Sequence, residues 1–295
     1  MHTLNLLSLL SLLSLSVLTS CADENQAKGD SGSGVSGMGP EDSGVEGFSG
    51  ERTVLFEVFT GSTCGPCNGA DAQLDSVLHV EENHDRWVAI KYQVGSDPYI
   101  TSEGLNRANL YLSVDDTYSI PNAVGDGTNV FHPSEINDDA GFNQSNFDAF
   151  ADVPSPMGIS VEHTVSGQTV DFDVTIEVIE DVPSDSLRLF AAITENVTTG
   201  NVGTNGQTEF HDVMKKLVPG RAGTSLAPMT AGDTLSMDFS YTFQGEYLED
   251  VGYSNQVDHD LNHSVEEFED LEVVVFIQDT TTKEVYNAAW TKTIE

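Results

Sequence analysis

Cys64 and Cys67, two of the three cysteines in this 295-residue chain, are separated only by Gly65 and Pro66. They follow the apolar run TVLFEVF (53–59), which predicts a buried strand, and precede a segment with apolar residues at helical spacing. A cysteine at a helix start forms its thiolate readily, because unpaired backbone N–H groups and the helix dipole stabilise an anion there. We therefore predict that Cys64 is the nucleophile of a redox pair and that Cys67 resolves the mixed disulfide. Gly65 and Pro66 support the motif, since Gly lets the pair close and Pro is tolerated in a first helical turn.

A structural disulfide is the alternative interpretation, and it would make the chain a non-catalytic binding or adhesion protein. A bond between cysteines this close in sequence closes a very small loop and stabilises a fold little, which favours redox chemistry. The motif also resembles half of a zinc site, but the chain has no second cysteine pair to complete one. We therefore predict no metal and no cofactor, with protein thiols or disulfides as substrates.

The order of the predicted elements indicates two kinds of domain. Strand and helix patterns alternate up to residue 153, which predicts an α/β domain with a partly parallel sheet. After PSPMG (154–158), runs such as TVDFDVTIEVI (169–179) alternate apolar and polar residues, and SGQ (166–168) marks a hairpin turn. Several such runs predict an all-β, immunoglobulin-like sandwich over 154–295.

At the cysteine motif the chain resembles the thioredoxin superfamily. Ile120 and Pro121 match that family's second mark, a cis proline that faces the cysteine pair. The resemblance implies a thioredoxin-like α/β domain over 51–153, with Ile120 and Pro121 in the substrate groove. It also implies a buried acidic proton acceptor in the preceding strand. Glu57 is the nearest candidate, one residue from the family's position, which Val58 occupies here.

The chain from residue 52 onwards also resembles a narrower group, the twenty-eight-kilodalton outer-membrane protein family of bacterial lipoproteins. The matching segments are EVFTGSTCGPC (57–67), EFHDVMKKLVPGRAGTSL (209–226) and LEVVVFIQDTTTKEVYNAAW (271–290). This resemblance implies a lipoprotein of the periplasm or cell surface, with a thioredoxin-like domain followed by a β-rich domain.

The first fifty residues predict export and anchoring rather than a folded domain. Residues 1–20 carry an apolar, serine-punctuated run that ends in small residues, as in a secretory signal peptide. Leu18-Thr19-Ser20-Cys21 resembles the bacterial lipobox, which implies that Cys21 is lipidated and anchors the protein to the outer membrane. Residues 21–50 are rich in Gly and Ser and predict a flexible tether.

The charge of the chain limits its partners. It has 48 Asp and Glu against 11 Lys and Arg, a formal net charge of −37. Such a surface repels phosphate backbones, so we predict no nucleic-acid binding. Two clusters of ionisable residues, HDVMKKLVPGR (211–221) and the histidine-containing DHDLNHSVEEFEDLE (258–272), are interpreted as solvated loops.

Overall fold

The computed structural model describes residues 50–113, 117–132, 142–248 and 255–291. These described residues all belong to one compact unit. The described strands are β1 (Val54–Thr60), β2 (Trp87–Gln93), β3 (Asn122–Gly125), β4 (Asn129–Phe131), β5 (Met157–Ser166), β6 (Thr169–Val178), β7 (Leu187–Thr198), β8 (Phe210–Val218), β9 (Thr224–Ser225), β10 (Thr234–Thr242), β11 (Leu271–Asp279) and β12 (Val285–Trp290). The described helices are α1 (Gly65–Leu78), α2 (Ser102–Leu112) and α3 (Gln144–Ala151).

The cysteine motif joins a fully buried strand to a helix. Every residue of β1 is buried, as its apolar, β-branched and aromatic composition predicts. The chain then crosses through α1 and returns in β2, which pairs with β1 in parallel. Helix α2 is capped by Thr101, whose side-chain oxygen accepts the Gly104 N–H at 3.1 Å.

The predicted hairpin at 166–168 is present. Strands β5 and β6 pair antiparallel through ten residues each, and Gly167 has φ of 61°, a left-handed conformation that glycine adopts without a Cβ clash. Strand β10 adds to β6, which completes a three-stranded sheet of order β10-β6-β5. Its alternating burial reflects one face against the core and one face in water.

The predicted fold class, an α/β thioredoxin-like domain followed by a separate sandwich, is wrong. Strand dominates the described residues, and one mixed nine-stranded sheet runs in the order β12-β11-β7-β8-β2-β1-β3-β4, with β9 beside β7. The strands that precede residue 154 are connected to those that follow it by a parallel pairing of β8 with β2, at Val213 and Lys91. Strands from both sides of residue 154 therefore share one sheet. Periodicity reveals single strands but not which strand edges pair, so the sequence pattern could not show this union.

The large sheet curls so that its β12 edge returns to the start of β1. The Asn287 side chain of β12 accepts a hydrogen bond from Thr53 N at 2.9 Å and donates one to the Glu51 carbonyl at 3.2 Å. Arg52 reaches the carbonyl of Tyr286 in the same strand, at 3.2 Å. These bonds bring the two ends of the described chain together.

Three large apolar clusters fill the spaces between the layers, and a small fourth cluster comprises Tyr99, Phe210 and Val213. One lies between the three-stranded sheet and strands β7 and β11, and it includes Phe172, Ile193 and Val275. A second lies on the opposite side of those strands, beneath α2. The third packs α1 and α3 against β1 around Phe56. Burial of these side chains supplies the main stabilising free energy, about 25 cal/mol per Å² of apolar surface.

Candidate functional site

A disulfide joins Cys64 and Cys67 at the first turn of α1, as the sequence predicts. Cys64 is the N-cap residue, with extended backbone angles, and Gly65 and Pro66 form the first two helical positions. Cys64 is half-buried, whereas Cys67 is fully buried. Only the sulfur nearer the surface is therefore open to attack by another thiol.

The start of α1 favours a negative charge at Cys64. No side chain caps this end of the helix, and no acidic residue lies in its first turn. The helix dipole and the unpaired N–H groups therefore act on the Cys64 sulfur without a competing carboxylate in that turn. This arrangement supports thiolate formation once the disulfide is reduced.

Ile120 and Pro121 lie beside the cysteine loop. Strand β3 pairs antiparallel with β1, and Asn122 is opposite Phe59, so the preceding Pro121 reaches the level of the end of β1. Gly61 has no Cβ, and the Ile120 Cδ1 atom lies 3.6 Å from the position that a Cβ would occupy there. The peptide bond between Ile120 and Pro121 is cis, and Ile120 remains partly exposed. These residues flank the loop that leads to Cys64.

Glu57 does not lie near the cysteines. Alternate residues of β1 face opposite sides of the sheet, and Val58 points towards α1 whereas Glu57 points towards α2. Its fully buried carboxylate accepts hydrogen bonds from Arg107 Nε at 2.7 Å, Tyr92 Oη at 2.8 Å and Tyr111 Oη at 2.8 Å. Glu57 therefore holds α2 to the sheet, and its predicted role in the redox motif is wrong.

The acidic group that does accompany the pair is Asp71. It lies four residues after Cys67, on the same face of α1, and it is 7% exposed. Burial raises the pKa of Asp71, while Lys91 and the Gln207 amide act in the opposite direction. The pKa of Lys91 is also raised, because Asp71, Asp75 and Asp212 outweigh its own burial. The spacing of four residues from Cys67 was a signal in the sequence that pointed to Asp71.

A segment that the sequence analysis missed covers the cysteine loop from the other half of the chain. This β7–β8 segment comprises residues 199–209. Within it, the Asn205 N–H donates to the Ser62 carbonyl at 3.0 Å, and the Asn205 side chain donates to the Gly61 carbonyl at 3.3 Å. Gln207 Nε2 donates to Asp71 Oδ2 at 3.0 Å. No sequence signal connects residues this far apart along the chain.

A second clamp holds the loop on its other side. The Asp97 carboxylate accepts the Ser62 N–H at 2.8 Å, and the Thr63 hydroxyl donates to the Ser96 carbonyl at 2.6 Å. Burial raises the pKa of Asp97, and hydrogen bonds from Tyr99 and Ser62 oppose this shift. The residues just before Cys64 are thus fixed from both sides.

Both clusters interpreted as solvated loops contain buried residues. Lys215 in β8 is fully buried, with its Nζ 2.8 Å from Glu195 Oε2, so the predicted exposure of this cation is wrong. His259 and His263 are 2% and 5% exposed, and burial lowers the pKa of both rings. Within the described residues, no group of three His, Cys, Asp or Glu side chains is placed to hold a metal ion.

The predicted signal peptide, the lipidated Cys21 and the tether to residue 49 lie outside the described residues. Among the residues that the structure describes, no helix has both the length and the apolar character needed to cross a membrane.

Comparisons with known proteins bear on the fold. No protein-family model and no curated protein matches the chain. The solved structure of HBP35 of Porphyromonas gingivalis is similar over 82% of this chain and 75% of that chain, with 14% identity and a TM-score of 0.58. β-Glucosidase 3B from Thermotoga neapolitana, solved with glycerol, aligns over 48% of this chain and 16% of that chain at 9% identity, and its TM-score of 0.24 is too low to indicate a shared fold. The chain therefore has a β-rich fold similar to that of HBP35.

Proposed function

We propose that this chain is a lipid-anchored thiol–disulfide oxidoreductase of the bacterial envelope that acts through Cys64 and Cys67. The observation that carries the proposal is the asymmetry of the pair. Cys64, which is half-buried at the N-cap position of α1, is bonded to a fully buried Cys67. The Cys64 sulfur is accessible to a partner thiol, and the Cys67 sulfur is positioned to act as the leaving group or as the resolving thiolate.

The oxidised pair would react with a protein dithiol in two exchanges. A substrate thiolate attacks the Cys64 sulfur, a mixed disulfide forms, and Cys67 leaves as a thiolate. The second substrate thiolate then attacks its own half of the mixed disulfide and releases Cys64 as a thiolate. Two electrons pass from the substrate, which gains a disulfide, to the cysteine pair. The reverse sequence reduces a substrate disulfide, and the relative potentials decide the direction.

Other features are consistent with this activity. Ile120 and Pro121 flank the cysteine loop and offer an apolar side of a groove to an extended substrate. The lipobox at Cys21 supports anchoring to the outer membrane, facing the periplasm or the cell surface. The quoted motifs support membership of the twenty-eight-kilodalton outer-membrane protein family, and this assignment stays a prediction.

The reduction potential of the pair tests the proposal. A soluble chain beginning at Glu51 is equilibrated with dithiothreitol, and its free thiols are trapped and counted by mass. We expect a potential between about −280 and −120 mV, within the range of exchange catalysts. The Cys67→Ser variant should retain mixed disulfides with partner proteins at Cys64, whereas the matched Cys64→Ser variant should retain few because Cys67 is buried. Equal trapping by both variants would contradict the assigned roles.

A structural disulfide is the second candidate, and the β7–β8 segment favours it. Hydrogen bonds from Asn205 to Gly61 and Ser62 hold the cysteine loop and restrict access to it. In that case the chain would be a binding or adhesion lipoprotein. A potential below about −300 mV, with no trapped partner for either variant, would support this candidate and overturn the first.

A further inference from the structure

A cavity lies at the end of α1 that is remote from Cys64. It encloses about 240 Å³ and is lined by the end of α1, the turn after it, and residues of β2, β7, β8, β11 and β12. Because α1 has 14 residues and each residue adds about 1.5 Å along the axis, its two ends are roughly 20 Å apart. The cavity is therefore separate from the cysteine site, and its occupant is independent of the proposed redox function.

Aromatic and aliphatic side chains form the apolar part of the cavity wall. Trp87 from β2 and Trp290 from β12 both line it, together with Leu78, Val88 and Val274. The Trp87 ring is held in place by an edge-on contact with His79, whose ring centroid is 5.0 Å away. Both tryptophans are partly exposed, so their rings are accessible to a ligand. An indole ring attracts a cation more strongly than any other side-chain ring does.

Four acidic side chains line this cavity, and two histidines line it as well, of which His84 contacts the Asp85 carboxylate at 2.8 Å. The acidic residues are Glu81, Asp85, Asp212 and Glu272, and no Lys or Arg is present among the lining residues. An anion would meet repulsion on several sides, whereas a cation would meet carboxylates as well as two indole rings. The size of the cavity suits a small organic ion rather than a bare metal ion.

From this combination we infer that the cavity binds a small organic cation with an apolar body, of the quaternary ammonium class. The indole rings attract the delocalised charge, the aliphatic residues contact the methyl groups, and the carboxylates exclude anions.

The two tryptophans make the test direct. They are the only two in the chain, so its intrinsic tryptophan fluorescence reports on this cavity alone. The protein is titrated with choline and, in parallel, with 3,3-dimethylbutan-1-ol, which has the same shape without the charge. Sodium chloride at about 0.5 M suppresses attraction to the acidic surface as a whole. We expect a saturable change with choline and a much weaker one with the alcohol.

Two variants locate the binding. Trp290→Leu removes one ring and leaves Trp87 as the reporter, and it should weaken choline binding roughly three- to thirty-fold. Glu272→Gln should weaken binding, whereas Glu162→Gln, which removes the same charge from an exposed position on β5 outside the cavity, should not. Circular dichroism establishes that each variant is folded. Equal affinity for choline and the alcohol, or no saturable change with either, would overturn the inference.

Discussion

For the proposed redox activity, Asp71 is a candidate proton donor and acceptor, because it is a buried carboxyl group on the same face of α1 as Cys67. When Cys67 leaves as a thiolate or attacks as one, a buried group near it must take up or release a proton. Asp71 lies one helical turn away, is buried, and contacts Gln207 at 3.0 Å. Since burial raises the pKa of Asp71, its carboxyl group exchanges protons closer to neutral pH than an exposed aspartate does.

We predict that Asp71→Asn slows thiol–disulfide exchange roughly tenfold and flattens its pH dependence, since general acid–base catalysis contributes at least that much. The measurement is the rate of exchange with a dithiol peptide between pH 5 and pH 9. Asp75→Asn is the matched control, because Asp75 lies on the same helix and its side chain is 40% exposed. An unchanged pH profile in Asp71→Asn would leave Asp71 with a structural role only.

At the scale of elements, the β7–β8 segment is the structure that limits movement of the cysteine loop. A Cβ at Gly203 would stand 2.5 Å from the Ser62 carbonyl oxygen, so only a glycine allows the segment to approach this closely. Asn205 then completes the contact through its hydrogen bonds to Ser62 and Gly61.

We predict that Gly203→Ala lowers the free energy of unfolding by about 1–3 kcal/mol, because the added methyl group overpacks this contact. The displaced segment should also leave the disulfide more accessible, so reduction by dithiothreitol should become several-fold faster. Gly69→Ala is the matched control, because Gly69 is exposed on α1 and a Cβ at this position would have no other atom within 4 Å. That variant should be stabilised by about 0.5–1 kcal/mol and be reduced at the normal rate. Faster reduction in both variants would point to α1 rather than the segment.

At the scale of the whole molecule, buried carboxyl groups make folding depend on pH. Burial raises the pKa of Asp71, Asp97, Asp212 and Glu195, and it raises that of Asp126 to about 6. Such groups bind protons more tightly in the folded state, so their contribution to stability is full below the ordinary pKa and is lost as pH rises. The formal net charge of −37 adds self-repulsion at neutral pH, in the same direction.

The pKa of Asp126 is raised from 3.8 to about 6 in the folded protein. We therefore predict that the free energy of unfolding falls by roughly 3 kcal/mol, through this group alone, as the pH rises from below 3.8 to above 6. Asp126 pairs with Arg52 at 2.8 Å and accepts the Leu55 N–H at 2.9 Å, but burial dominates the shift. Urea unfolding at pH 4 to 7.5 measures the effect. The Asp126→Asn variant should lack this part of the pH dependence. If the free energy of unfolding changes with pH equally in the variant and in the unaltered chain, Asp126 is not the source of this pH dependence.

The sequence by itself determined the local features of this protein. The composition of TVLFEVF produced a buried strand, Cys64 and Cys67 came together at a helix start, and the turn at 166–168 closed a hairpin. Each of these depends on interactions between residues that are close in the chain, so propensity and periodicity are sufficient to predict them.

Tertiary structure decided the rest, because it brought together residues that no local pattern connects. The pairing of β8 with β2 joined two predicted domains in one sheet. The pleat of β1 turned Glu57 away from the cysteines and towards Arg107, and the β7–β8 segment placed Gln207 on Asp71. Lys215 is buried because Glu195 on the neighbouring strand compensates its charge. The contacts of these residues depend on elements that are distant along the chain, and such contacts form only when the strands pair in a particular order and register.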